Sequence, residues 1–176
     1  LESARVLEYE FARDFDAYLD ELGDAAPCNS LAEVVASGEV HPSVAARFEG
    51  TAILETDADA LDENTGYLRS LRRREAIRDA TLARMAADDL DALLYPPSRI
   101  PPVEIPDNQP FAELNCELAA HTGLPAIVVP AGFTPAGLPV GVELLGRAFD
   151  ERRLFELAYA FEQATDHRRP PERFGG

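Results

Sequence analysis

The stretch GLPAIVVPAGFTPAGLPVGVELLGR, residues 123–147, decides the reading of this chain. Two runs rich in β-branched and aliphatic residues, PAIVVPAGF and LPVGVELLG, flank TPAG, and that pattern predicts a β-hairpin. Nearly every position in both runs is apolar. Strands of that kind are expected to be covered on both faces, as in a layered α/β protein.

Helical patterns surround the hairpin. Upstream, residues 111–121 (FAELNCELAAH) read as a helix; downstream, Leu154, Leu157, Ala158 and Phe161 mark one face of a helix over 150–165, with Asp150 as cap. DALLYP, 91–96, reads as a short buried strand ended by prolines. Residues 96–110 hold six prolines and predict an extended, irregular loop, because proline breaks both helix and ladder. The first third is helical. Leu7, Phe11, Phe15, Tyr18 and Leu22 make an apolar stripe over 2–22, with Gly23 as the stop. NSLAEVVAS, 29–37, is a short helix capped by Asn29 or Ser30, with Glu33 at capping-box spacing. Another short helix follows Pro42. A long one runs from about Asn64 to Asp88, with Leu68, Leu71, Ile77, Leu82 and Met85 facing inward. Its arginines at 69, 72, 73, 74 and 78 suit either an anion site or a solvated face among acids; the solvated face is favoured.

The 176 residues carry a formal net charge of −16, with 32 acids against 16 bases, and every one of those bases is arginine. Such a chain repels nucleic acid and anionic lipid, so neither is expected as a partner. The acid excess and the missing lysine fit adaptation to high salt; a GC-rich genome accounts for the arginine but not for the acids. No apolar run is long enough to span a membrane and no leader pattern opens the chain, so a cytoplasmic location is expected. Cys28 and Cys116 are far apart, which argues against a disulfide scaffold and a zinc site. No cofactor is expected.

The sequence holds none of the common catalytic motifs. There is no GxSxG elbow, HExxH or P-loop, and the glycines at 137, 141 and 146 have the wrong spacing for a dinucleotide fingerprint. His41 and His167 read as structural or exposed. His121 lies at the mouth of the hairpin and stays open as a candidate. No carboxylate pair stands out among so many acids.

The order Gly-Leu-Pro-Ala strand, Pro-Ala-Gly-Phe turn, Gly-Leu-Pro-Val-Gly strand, Leu-Leu-Gly-Arg end and AYAFEQAT…RRPP tail resembles the C-terminal signature of the amidase signature family of amidohydrolases. YEFARDFDAYL, NSLAEVV, DALLYPP and NCELAAHTGLPA are similar to upstream family segments in the same order. The resemblance implies an α/β architecture, part of a mixed-sheet, helix-flanked fold. It implies hydrolysis of a carboxylic amide, or transfer of its ammonia, by a serine nucleophile, a bridging serine and a lysine base. A lysine serves as base only when its pKa is lowered, and backbone N–H groups of a Gly/Ser-rich loop hold the oxyanion. This chain has no lysine, and Ser3, Ser30, Ser37, Ser43, Ser70 and Ser98 lie in no Gly-rich loop. No catalytic residue carries over. The expectation is a C-terminal portion of a single amidase domain over 1–176, inactive alone, whose partner is the N-terminal half or another chain and whose whole enzyme takes a small-molecule amide. A non-catalytic interaction module, or one component of an amidotransferase-type complex, is the rival reading. By position, Tyr95, Pro96 and Ser98, with Asn115, Cys116 and His121, would help wall an acyl pocket. Core packing is the competing account of Tyr95 and Cys116.

Charge gives the first prediction. Screening shortens the reach of self-repulsion from about 10 Å at 0.1 M salt to about 3 Å at 1 M. If the acid excess is a salt adaptation, the melting temperature rises steadily to molar KCl. A plateau by a few tenths molar in a calorimetric series marks screening alone.

Overall fold

The structure is a computed structural model and describes residues 4–49, 52–54, 56–104 and 114–170. The described residues separate into two compact units, 4–73 and 74–170.

The first unit is helical. It holds α1 (Leu7–Leu22), α2 (Leu31–Ala36), α3 (Pro42–Glu49), short 3₁₀ turns and the start of α4 (Thr65–Ala87). Polar contacts set the helix starts. The Ser30 hydroxyl accepts from the Glu33 amide at 3.2 Å, and the Glu33 carboxylate reaches back to the Asn29 amide at 2.9 Å. Ser30 is therefore the cap, in a capping box whose return bond is shifted by one residue. The Leu31 amide donates to Asp16 at 2.6 Å, which ties α2 to α1. Asn64 caps α4 through the amides of Gly66 and Tyr67. Phe11 stacks on Phe15 and on Phe48, each at 5.9 Å between ring centroids. The stripe read on α1 is only partly inward: Leu7, Tyr18 and Leu22 are exposed, and Leu19 is the buried residue of the helix. Leu19 stands one residue beyond Tyr18, so the buried line is rotated from the predicted one.

The second unit holds the rest of α4, then β1 (Leu93–Tyr95), α5 (Glu117–Thr122), β2 (Ala126–Phe133), β3 (Pro139–Leu145) and α6 (Glu151–Thr165). The predicted hairpin is present. β2 and β3 pair antiparallel from Ala126↔Leu145 to Phe133↔Pro139, with an irregularity between Pro130 and Gly132. Thr134 closes the turn: its amide donates to the Leu138 carbonyl at 2.8 Å and its hydroxyl accepts from the Leu138 amide at 3.1 Å. β1 pairs antiparallel with the other side of β3, so β3 is central in the order β1-β3-β2.

The two-residue period of the strands splits the sheet into two faces. Ile127, Val129, Val142 and Leu144 share one face, and it packs on Leu154, Leu157, Ala158 and Phe161 of α6. The predicted helix face thus meets the predicted hairpin. Gly146 admits that contact, because a Cβ there would lie 3.0 Å from Leu154 Cγ. Asp150 precedes α6, but its side chain makes no capping bond; its carbonyl accepts from Arg153 and Leu154.

The other face carries Leu93, Tyr95, Ala126, Val128, Gly141, Glu143 and Leu145. Coverage of both faces, expected from composition, holds for Glu143–Leu145 and fails for β2, where Val128 is 53% exposed. Among the described residues β2 pairs only with β3, and α6 shields one face. β1 is shorter than expected, and Leu94 is exposed. The helix expected over 111–121 starts at Glu117; residues 111–113 lie outside the described residues, as do 105–110 of the proline loop.

Leu154→Ala is expected to destabilise the protein by about 2–5 kcal/mol, because it empties the contact between α6 and the hairpin. Exposed Phe155→Ala should stay within about 0.5 kcal/mol. Urea unfolding followed by circular dichroism compares the two.

Candidate functional site

The residues expected to wall a pocket gather in two places. Tyr95 ends β1 directly opposite Glu143 of β3, and its hydroxyl donates to Glu143 Oε1 at 2.6 Å. Glu143 is only 2% exposed. A buried carboxylate needs such a charge-assisted bond, since stranding it costs more than an ordinary hydrogen bond. The phenol has a single proton and Glu143 takes it, so the Tyr95 oxygen has only lone pairs to offer anything else. Burial, reinforced by the bond to Glu143 and by its charge, pushes the Tyr95 phenol far above its ordinary range.

Pro96 and Pro97 follow Tyr95, and their carbonyls receive the segment entering α5. Asn115 donates its side-chain amide to Pro96 O at 2.9 Å and its backbone amide to Pro97 O at 2.8 Å; the Cys116 amide also reaches Pro97 O, at 3.1 Å. Ser98 bridges to Leu114, and its hydroxyl donates to the Ile100 carbonyl at 2.7 Å. The Ser98 proton is spent on a local turn, which suits a structural residue rather than a nucleophile. The Cys116 side chain is exposed, yet its thiol is pushed up, first by desolvation and then by the Glu143 charge. It stays protonated near neutral pH and is a weak nucleophile.

His121 belongs to a different constellation. Arg74 Nη2 lies 3.4 Å from its Nδ1, and Glu117 Oε2 lies 3.9 Å from its Nε2. Guanidinium can only donate, so Nδ1 is the acceptor in the contact with Arg74. Of the arginine run on α4, Arg69, Arg72, Arg73 and Arg78 are exposed, as a solvated face requires, while Arg74 is half-buried. Tyr95, Ser98, Asn115 and Cys116 are thus drawn into one seam, and His121 is joined instead to α4 and α5. None of the five lines the shallow concavity bounded by Pro130, Glu162, Gln163, Asp166, His167 and Arg168. No cluster of three or more His, Cys, Asp or Glu side chains suited to a metal occurs among the described residues.

Sequence reasoning missed Glu143. Its one signal is that it is the sole charge within the run PVGVELL.

Residues 4–155 match the family described as Amidase. The chain belongs to the amidase family. It is 40% identical over 109 residues to a glutamyl-tRNA(Gln) amidotransferase subunit of Myxococcus xanthus, covering 57% of this chain and 21% of that protein. Among solved structures, the native peptide amidase of Stenotrophomonas maltophilia superposes with a TM-score of 0.70 at 31% identity, covering 96% of this chain and 34% of that one. The corresponding glutamyl-tRNA(Gln) amidotransferase subunit of Thermotoga maritima gives 0.53 at 26% identity, over 89% and 34%. The fold is therefore that of the amidase signature enzymes, with mixed helix and a small antiparallel sheet, and the chain spans about a third of these solved amidases. No helix among the described residues is long and apolar enough to cross a membrane.

The raised Tyr95 phenol carries a pH signature. Above pH 10.0, the ordinary phenol value, an unfolded Tyr95 loses its proton while the folded one keeps it. The folded state then binds more protons, so this group makes stability fall as pH rises. Tyr95→Phe should remove that part of the alkaline loss. At pH 7 the same variant should cost about 1–3 kcal/mol, because the Glu143 carboxylate loses its donor. Urea midpoints at pH 7, 9 and 10.5 read both effects.

Proposed function

We propose that this chain is the C-terminal portion of an amidase and walls the acyl side of a pocket that cleaves a carboxylic amide to acid plus ammonia or amine. The observation that carries the reading is the family match over residues 4–155 in a sequence that contains no lysine. Nucleophilic serine, bridging serine and lysine base then lie outside these 176 residues, and the chain alone is inactive. Its contribution is the seam of Tyr95, Pro96, Pro97, Ser98, Asn115 and Cys116. The Tyr95 oxygen, left with lone pairs only, suits a substrate N–H; a carboxylate would meet it lone pair to lone pair. His121, held by Arg74 and Glu117, borders the seam through α5 rather than entering it.

Hydrolysis is preferred over ammonia transfer because the peptide amidase matches at a TM-score of 0.70, against 0.53 for the amidotransferase component. The sequence likeness to the Myxococcus xanthus amidotransferase keeps the second reading in play: the portion then serves a complex that releases ammonia from an amide donor. A cytoplasmic site of action fits a lysine-free, acidic chain with free cysteines.

The purified chain should release no ammonia above the blank from propionamide, benzamide, glycinamide or L-glutamine. Adding a polypeptide that carries the lysine and the Gly/Ser-rich loop of a related amidase should restore turnover. Preference for L-glutamine in that mixture would favour the amidotransferase reading. Turnover by the chain alone, abolished by a serine-directed reagent, would overturn the proposal.

A further inference from the structure

At 2% exposure Glu143 is a fully buried carboxylate in the middle of the sheet, and it accepts the Tyr95 hydroxyl proton in a hydrogen bond. It stands on β3 between Tyr95 on one side and Val128 on the other, on the face that α6 does not cover. Its register partner Val128 leans instead over Gly141, where a Cβ would come within 2.9 Å of Val128 Cγ1. The carboxylate is thereby left facing the phenol.

From the hydroxyl the connection runs along stiff covalent geometry. Tyr95 is followed at once by Pro96 and Pro97, two residues whose φ is fixed by their rings and which lack an N–H. A segment of that kind has fewer ways to move: with φ fixed at both prolines, holding the Tyr95 ring narrows the range of directions open to the next two carbonyls. Those carbonyls take the three hydrogen bonds from Asn115 and Cys116. Neither proline can donate to a ladder, so these acceptor bonds, with the Ser98–Leu114 bridge, fasten the strand end to the entry of α5.

We infer that Glu143 is a positioning residue: acting through the Tyr95 hydroxyl and the rigid Pro96–Pro97 step, it sets the alignment of the seam between the proline loop and the segment entering α5. It touches no substrate in this arrangement. That the aligned seam is a pocket wall rests on the proposed amidase function; that Glu143 aligns it does not, and hydrogen exchange measures the alignment without any amidase assay.

Amide hydrogen exchange by NMR tests the lever. Glu143→Ala should accelerate exchange at the Asn115 and Cys116 amides by roughly tenfold or more, through local opening, while the Val129 and Val142 amides across the hairpin keep their protection. Tyr95→Phe should reproduce the pattern at the same two amides, and it serves in place of Glu143→Ala should that variant fail to fold. Glu143→Gln retains an oxygen that accepts the Tyr95 proton and should restore protection to near the wild-type rate. Uniform acceleration at all four amides would mean a merely structural role and overturn the inference, as would unchanged exchange at Asn115 and Cys116. Failure of Glu143→Gln to rescue would show that charge, not the bond to Tyr95, is at work, and would also overturn it.

Discussion

The register of β3 against its two neighbours is the constraint on which the rest depends. Leu144 must face α6 and Glu143 must face Tyr95, and the two are adjacent in sequence. Because successive side chains alternate, a slip of one residue would drive the carboxylate into the apolar contact with Leu154 and Ala158 and turn Leu144 toward the phenol. Burying that charge among aliphatic side chains is prohibitive without a partner. The apolar face and the polar pair therefore enforce the same alignment from opposite sides of the sheet, and each makes the other's geometry unambiguous.

Arginine reinforces this alignment from the flank. Arg147, just past β3, donates to the Leu90 carbonyl at 2.8 Å, and Arg153 on α6 pairs with Asp91 at 2.9 Å. That pair holds the Asp91 carboxyl below the usual carboxylate range, though both groups are well exposed and the pair adds little stability. Its value is directional. Leu90 and Asp91 lead into β1, so the two arginines bring that strand to β3 with Tyr95 opposite Glu143. In a chain without lysine the planar guanidinium takes on every such task.

Local pattern made most of the fold legible. The hairpin, its turn and the Leu154–Phe161 face of α6 follow from spacing alone, as does the inward set on α4, where Met85 is fully buried. Boundaries slipped where no local signal marks them: α5 begins later than its apolar pattern suggests, since Leu114–Cys116 is occupied with the proline loop. The exposed positions on the strands were hidden for a different reason. Composition tells that a strand is apolar, but neighbours decide which side is covered, and Val128 lies on the face that α6 leaves open. The seam was readable only as a set of residues near a loop. Its organising member, Glu143, is one of 32 acids, and its partner lies 48 positions earlier. Likewise nothing in the run of arginines on α4 separates Arg74, which reaches His121, from its solvated neighbours.

That separation of 48 residues also bears on how the chain acquires its fold. The hairpin and α6 are contiguous, so their contacts form by closing short loops. β1 arrives from far away: Tyr95 to Glu143, Leu90 to Arg147 and Asp91 to Arg153 span 48, 57 and 62 residues. The entropy of closing such loops must be lost before these contacts repay it. Loop entropy therefore favours a hairpin seated on α6 ahead of the docking of β1. Until it docks, Glu143 stays solvated on an open strand edge, and its charge discourages another chain from pairing there.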